Sequence, residues 1–172
     1  MRRFALGMLI FVSVFWAYLV PYAVSRLVPY SYFVTNGRQD APPKINIDSG
    51  VLTYGKDGTP RVRPDWLAQR DFTDYRTIYI YRRTALGPLA CGPIKLNDHS
   101  DGPFTNRAGV PYDPENPEYS FSLDHWTNFK LRECDLGPGE YVVRTLYRVP
   151  FFVWYVTLDF TSNDFEITEV RS

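Results

Sequence analysis

The sequence predicts an all-β sandwich held behind a single N-terminal membrane helix, and three observations lead there. Residues 4–24 of the 172 carry no charged side chain, and a helix of about 20 apolar residues is what crosses a bilayer. Beyond that run, short β-branched and aromatic segments alternate apolar and polar with a period of two. Gly- and Pro-rich turns separate them and no 3.6-residue period recurs, a pattern that fits strands packed sheet on sheet.

The apolar run is rich in Leu, Val and Phe, with Trp16, Tyr18 and Tyr22 in its second half, where amphipathic rings favour the lipid–water interface. Arg2 and Arg3 precede it and Arg26 follows alone. Positive charge stays on the cytoplasmic side, so the expected orientation is N-terminus cytoplasmic and C-terminal domain extracytoplasmic. The alternative is a cleaved signal peptide, for which Ala23-Val24-Ser25 supplies a small-x-small site. A signal core is usually only about 7–15 residues long, and Pro21 sits where processing needs an extended chain, so a retained anchor is preferred. The expected organisation is an anchor or uncleaved signal sequence over 1–25, a connector over 26–44 that includes a short first strand at 30–34, and a β-sandwich domain over 45–172.

Without the anchor roughly 140 residues remain, enough for one domain. From residue 43 onward there are 15 Lys and Arg against 18 Asp and Glu. Nucleic-acid binders carry a basic excess, so that class is disfavoured, and no polybasic cluster follows the anchor to read anionic lipid headgroups. The two cysteines, Cys91 and Cys134, both lie in the exported part, where an even count reads as a disulfide. Closing a loop of that length is worth up to about 4 kcal/mol by chain entropy.

In order along the chain, Ile45-Asn46-Ile47-Asp48 reads as a half-buried strand and residues 51–54 as another, ended by Gly55-Lys56-Asp57-Gly58. Pro60 and Pro64 predict irregular chain up to a helical turn at Asp65-Trp66-Leu67. Residues 77–83 form a stronger strand, with Ile78 and Ile80 facing the core and Tyr79 and Tyr81 opposite. Residues 86–118, dense in Gly and Pro, predict a long loop tied down by Cys91. Tyr119, Phe121 and Leu123 are expected to point inward. The clearest strand is 141–149, where Arg144 and Arg148 mark the wet face and Tyr141, Val143, Thr145, Tyr147 and Val149 the buried one. Phe152, Trp154, Val156, Leu158 and Phe160 continue the apolar pattern. Residues 161–164 turn the chain into a last alternation through Phe165 and Ile167.

The segment Leu136-Gly137-Pro138-Gly139-Glu140-Tyr141 is similar to the tyrosine corner of immunoglobulin-like and fibronectin-like sandwiches, which makes that sandwich the expected fold. A span ending Val20-Pro21-Tyr22-Ala23-Val24, Trp126 ahead of the second cysteine, and the run from Cys134 to Thr145 together resemble uncharacterised single-span proteins of tailed bacteriophages and prophages of Gram-negative bacteria. The resemblance implies a periplasmic domain on the inner membrane and carries no activity with it.

No catalytic signature stands out. Residues 97–102, around His99, offer oxygen donors at alternate positions, but Ala108 stands where a calcium loop needs a bidentate Glu. An Asx-rich turn explains them. Asp124 and His125 are neighbours, which on a strand point to opposite faces. No metal, cofactor or catalytic residue is expected. The segment Pro150-Phe151-Phe152-Val153-Trp154-Tyr155 is either covered on both sheet faces or an exposed aromatic hairpin tip. Phe151, Phe152, Trp154 and Tyr155 are therefore the candidate binding patch, for a protein or for the membrane interface. Trp66 and Trp126 read as core or loop-packing residues. The function expected is a membrane-anchored extracytoplasmic binding module of a phage-encoded envelope protein. A secreted periplasmic or virion-associated form and an envelope-acting hydrolase are the alternatives.

Overall fold

The computed structural model describes residues 2–35, 44–54, 60–83, 87–96, 102–108, 121–127, 130–152 and 154–171. The chain opens with helix α1 (Arg2–Leu27), long and apolar enough to cross a membrane. Its side chains from Gly7 to Tyr18 are all exposed.

Everything described beyond α1 is predominantly β. A 3-10 turn (Tyr30–Tyr32) leads to strands β1 (Val34–Thr35), β2 (Lys44–Ile47), β3 (Gly50–Thr53), β4 (Arg61–Asp65), β5 (Leu67–Ala68), β6 (Phe72–Arg82), β7 (Leu89–Lys95), β8 (Phe104–Asn106) and β9 (Phe121–Ser122). One helical turn, α2 (Leu123–Trp126), and a 3-10 turn (Lys130–Glu133) precede β10 (Gly139–Phe151), β11 (Trp154–Thr161) and β12 (Phe165–Arg171). The main sheet runs β3-β12-β10-β6-β7, with β11 on β10 and β8 on β6. A second sheet runs β2-β4-β9, and β1 pairs with β5. Among the described pairs, β3 with β12 is parallel and the other strand pairs are antiparallel.

β10 is the spine. Tyr141, Val143, Thr145, Tyr147 and Val149 are buried while Arg144 and Arg148 are exposed, as the alternation predicts. Its inward residues meet Ile78 of β6, Phe160 of β11, Ile167 of β12 and, from the second sheet, Ile45, Ile47 and Val62 in one hydrophobic cluster. The Tyr141 hydroxyl donates to the Gly137 carbonyl at 2.7 Å, the hydrogen bond expected of the corner read from the sequence. The turn expected at 161–164 stitches the two sheets together. Ser162 exchanges hydrogen bonds with the Val143 backbone, donating its N–H and accepting at its hydroxyl. The Asn163 amide both accepts from Ile47 N–H at 2.7 Å and donates to Ile47 C=O at 2.8 Å.

Several expectations are corrected. The first strand is Val34–Thr35, because residues 30–32 form a 3-10 turn. No helical turn forms at 65–67, where Asp65 ends β4 and Leu67 opens β5. Pro64 sits inside β4, paired with Ile45 of β2. The long loop of 86–118 contains β7 and β8, so Cys91 sits on a strand. Phe121 is exposed and Ser122 is buried. Ser122 caps α2, accepting from His125 N–H at 3.2 Å, and the helical turn replaces the predicted alternation. Phe152 is 85% exposed, not part of the inward set. Tyr119 and the loop of 97–101, with His99, lie outside the described residues.

Candidate functional site

The candidate patch is the tip of the β10–β11 hairpin. Phe151 pairs with Trp154 and Pro150 with Tyr155, which leaves Phe152 and Val153 as the connecting residues. Two-residue hairpins favour left-handed backbone, and Phe152 has φ 54°. That conformation throws its ring outward, where no core could hold it. The strand pleat separates the others: Trp154 and Phe151 are half-buried and Tyr155 is exposed. The reading as an exposed aromatic tip therefore describes Phe152 and Tyr155, while Phe151 and Trp154 pack inward against other elements.

Those elements are the end of α1 and the segment that follows it. Trp154 stacks edge-on against Tyr18 at 4.3 Å and Tyr22 at 5.3 Å, and its indole N–H donates to the Tyr18 carbonyl at 3.1 Å. Phe151 meets Tyr32 and Phe33 edge-on, each at 6.4 Å. Arg70 lies over the Tyr32 ring at 3.5 Å, and Arg148 over the Tyr155 ring at 4.4 Å. Two cations thus border the aromatic cluster. From Val149 to Leu158 the hairpin carries no charge, and Arg148 and Asp159 stand just outside those limits.

A second site went unnoticed in the sequence because its parts are far apart in the chain. A cleft of about 420 Å³ is lined by Pro64, Trp66, Phe121, Trp126 and Tyr147, with Arg76 in its wall. The Arg76 guanidinium lies between rings, 4.3 Å from the Phe104 centroid and 4.9 Å from that of Tyr147. It is anchored by Asp74, with Nε to Oδ1 at 2.8 Å and Nη2 to Oδ2 at 3.2 Å, and by Asn106 Oδ1 at 3.2 Å. Asp74 is fully buried. Burial pulls the guanidinium down, but Tyr147 and Asp74 outweigh it and leave Arg76 above its ordinary range. Burial pushes the Tyr147 hydroxyl up to about 12, against the pull of Arg76. The arrangement is a neutralised ion pair supporting aromatic walls. It can hold an apolar or aromatic group.

Cys91 and Cys134 form a disulfide across 43 residues, with Cα atoms 5.6 Å apart. It ties β7 to the turn before β10. Asp124 is buried and His125 exposed on α2, with His125 stacked on Phe121 at 6.0 Å. Among the described residues no group of three His, Cys, Asp or Glu side chains is placed to hold a metal ion. Trp126 is buried, as expected, and Trp66 packs on Tyr147 and Phe160 while also facing the cleft. Compared with protein-family models, curated proteins and solved structures, the chain matches none.

Proposed function

We propose that this protein is a single-pass membrane protein whose extracytoplasmic β-domain is a binding module working close to the bilayer. The observation that carries this is the lipid-type exposure of α1 from Gly7 to Tyr18 in a helix that the hairpin grips at its far end. A retained anchor is favoured by the same end. The helix runs unbroken through Ala23-Val24-Ser25 to Leu27, and Ser25 is buried with its hydroxyl bonded to the Tyr22 carbonyl at 2.7 Å. The extended substrate that a processing enzyme needs is absent from that helical segment.

An immunoglobulin-like sandwich is the fold we infer for the domain. In support, the order β7-β6-β10-β12 follows C′-C-F-G of that fold and β2-β4-β9 follows A-B-E. Tyr141 makes the corner bond at the start of the strand in the F position. The disulfide departs from the usual pattern, since it ties the C′-like strand to the turn ahead of the F-like one. We place the partner on the cleft beside Arg76, as a protein segment bearing an apolar or aromatic side chain. The resemblance to phage and prophage single-span proteins suggests the periplasmic face of a bacterial inner membrane as the compartment.

Extraction from membranes followed by intact-mass measurement tests the reading. Full-length mass, lighter by two hydrogens until reduced, is the expected result. A soluble cytoplasmic protein with free thiols would sink it, and a mass beginning at Arg26 would mean a released domain.

A further inference from the structure

We propose that the β10–β11 hairpin tip is a second membrane contact, with Phe152 inserted among the lipids of the outer leaflet beside α1. This rests on the reading of α1 as a membrane span and adds that the domain is docked on the bilayer rather than tethered above it. The depth follows from one hydrogen bond. Trp154 is bound to the Tyr18 carbonyl, while Arg26, the first charge after the apolar run, lies just over two helical turns further on. At 1.5 Å per residue that is about 12 Å. An interfacial zone on each side of the hydrocarbon is only about 6 Å deep. With Arg26 among the headgroups, Trp154 lies at or just below the boundary with the acyl chains.

The tip has the composition that this depth requires. It carries no charge from Val149 to Leu158, and the most exposed of its described residues is Phe152 at the apex, 85% exposed. Fully exposing such a ring to water forgoes its hydrophobic burial. Tyr and Trp rings beside it, Trp154, Tyr155, Tyr18 and Tyr22, are the types that settle at the interface. Arg148 over Tyr155 and Arg70 over Tyr32 place cations along the rim of the aromatic cluster, suited to phosphate headgroups. A lipid surface is favoured over a protein partner because the patch is continuous with the anchor: the residue next but one to the apex is bonded to the membrane helix.

The test uses the full chain in phospholipid vesicles with an environment-sensitive fluorophore on the thiol of Phe152→Cys, the native cysteines being engaged in their disulfide. Phe11→Cys, on the exposed face of α1, is the companion probe for the anchor. The proposal expects the label at 152 to be quenched several-fold more by nitroxides on the upper acyl chain than by aqueous iodide, and the label at 11 to be quenched by deeper nitroxides. Iodide quenching at 152 with lipid quenching at 11 would overturn the docked tip and leave the anchor standing. Water exposure at both positions would overturn both readings. Protection of 152 from both quenchers would also overturn the proposal, in favour of a tip covered by protein.

Discussion

The indole of Trp154 donates to the main-chain carbonyl of Tyr18 across 136 residues of sequence. That carbonyl is next to the one of Ala17, which Pro21 has no N–H to serve. The domain therefore adds a donor beside the carbonyl that the proline leaves unserved. The contact fixes the direction of the domain relative to α1.

Trp154→Ala removes the hydrogen bond and both ring contacts, and is expected to free the domain to swing about residues 28–33. Spin labels on Phe15→Cys and Thr157→Cys, both exposed positions, should give a narrow distance distribution in the parent chain and a broad one in the variant. Trp154→Phe keeps the ring and should broaden it less, the lost bond being worth about 1 kcal/mol.

The disulfide should carry a substantial part of the stability of the domain. A double Cys91→Ser, Cys134→Ser variant is expected to lose about 2–5 kcal/mol, measured by urea denaturation in detergent. A loss below about 1 kcal/mol would mean that the denatured chain already keeps these segments together.

Arg76 is predicted to be structural support for the cleft. Arg76→Met leaves Asp74 buried without its cation, an arrangement that costs about 3–5 kcal/mol. Adding Asp74→Leu should restore most of it, because a buried pair replaced by apolar groups is often neutral. Thermal denaturation of the two single variants and the double variant gives the coupling.

Gly92 should tolerate no side chain. Opposite Tyr79 of β6, β7 bulges by one residue, since Ile78 pairs with Ile94 and Ile80 with Cys91. Gly92 adopts φ 120°, and a Cβ there would stand 2.8 Å from the Ile78 carbonyl oxygen. Gly92→Ala is expected to destabilise by about 1–3 kcal/mol, with loss of amide-exchange protection concentrated in β7.

Much of the sheet could be read directly because burial on one face writes itself into alternate residues, as in β10, β11 and β12. The helix α1 could be read for the opposite reason: its apolar residues run all round it. What stayed hidden depends on partners distant in sequence. β7 and β8 lack alternation and are strands only because β6 offers them an edge. Pro64 looks like a breaker, yet it pairs with Ile45 of β2 inside β4. Phe152 continues a period-two pattern, and only the two-residue turn turns it outward. The cleft joins Trp66, Arg76, Asn106 and Tyr147 from four separate segments, and no spacing in the chain announces it.

Tyr147 provides a pH test of the core. Its hydroxyl is raised from about 10 in the unfolded chain to about 12 in the folded one by burial, with Asp74 adding and Arg76 opposing. The native state thus holds this proton more tightly than the unfolded state. Its contribution is fully present below pH 10 and is lost as the pH rises from about 10 through about 12, by a total on the order of 2–3 kcal/mol. Tyr147→Phe keeps the ring under Arg76 and removes the titrating group. Denaturation midpoints measured at pH 8, 10 and 11.5 should fall more steeply for the parent chain than for the variant, and the difference should open only above pH 10. Parallel profiles would mean that the hydroxyl reaches water, and that the cleft extends below the Tyr147 ring.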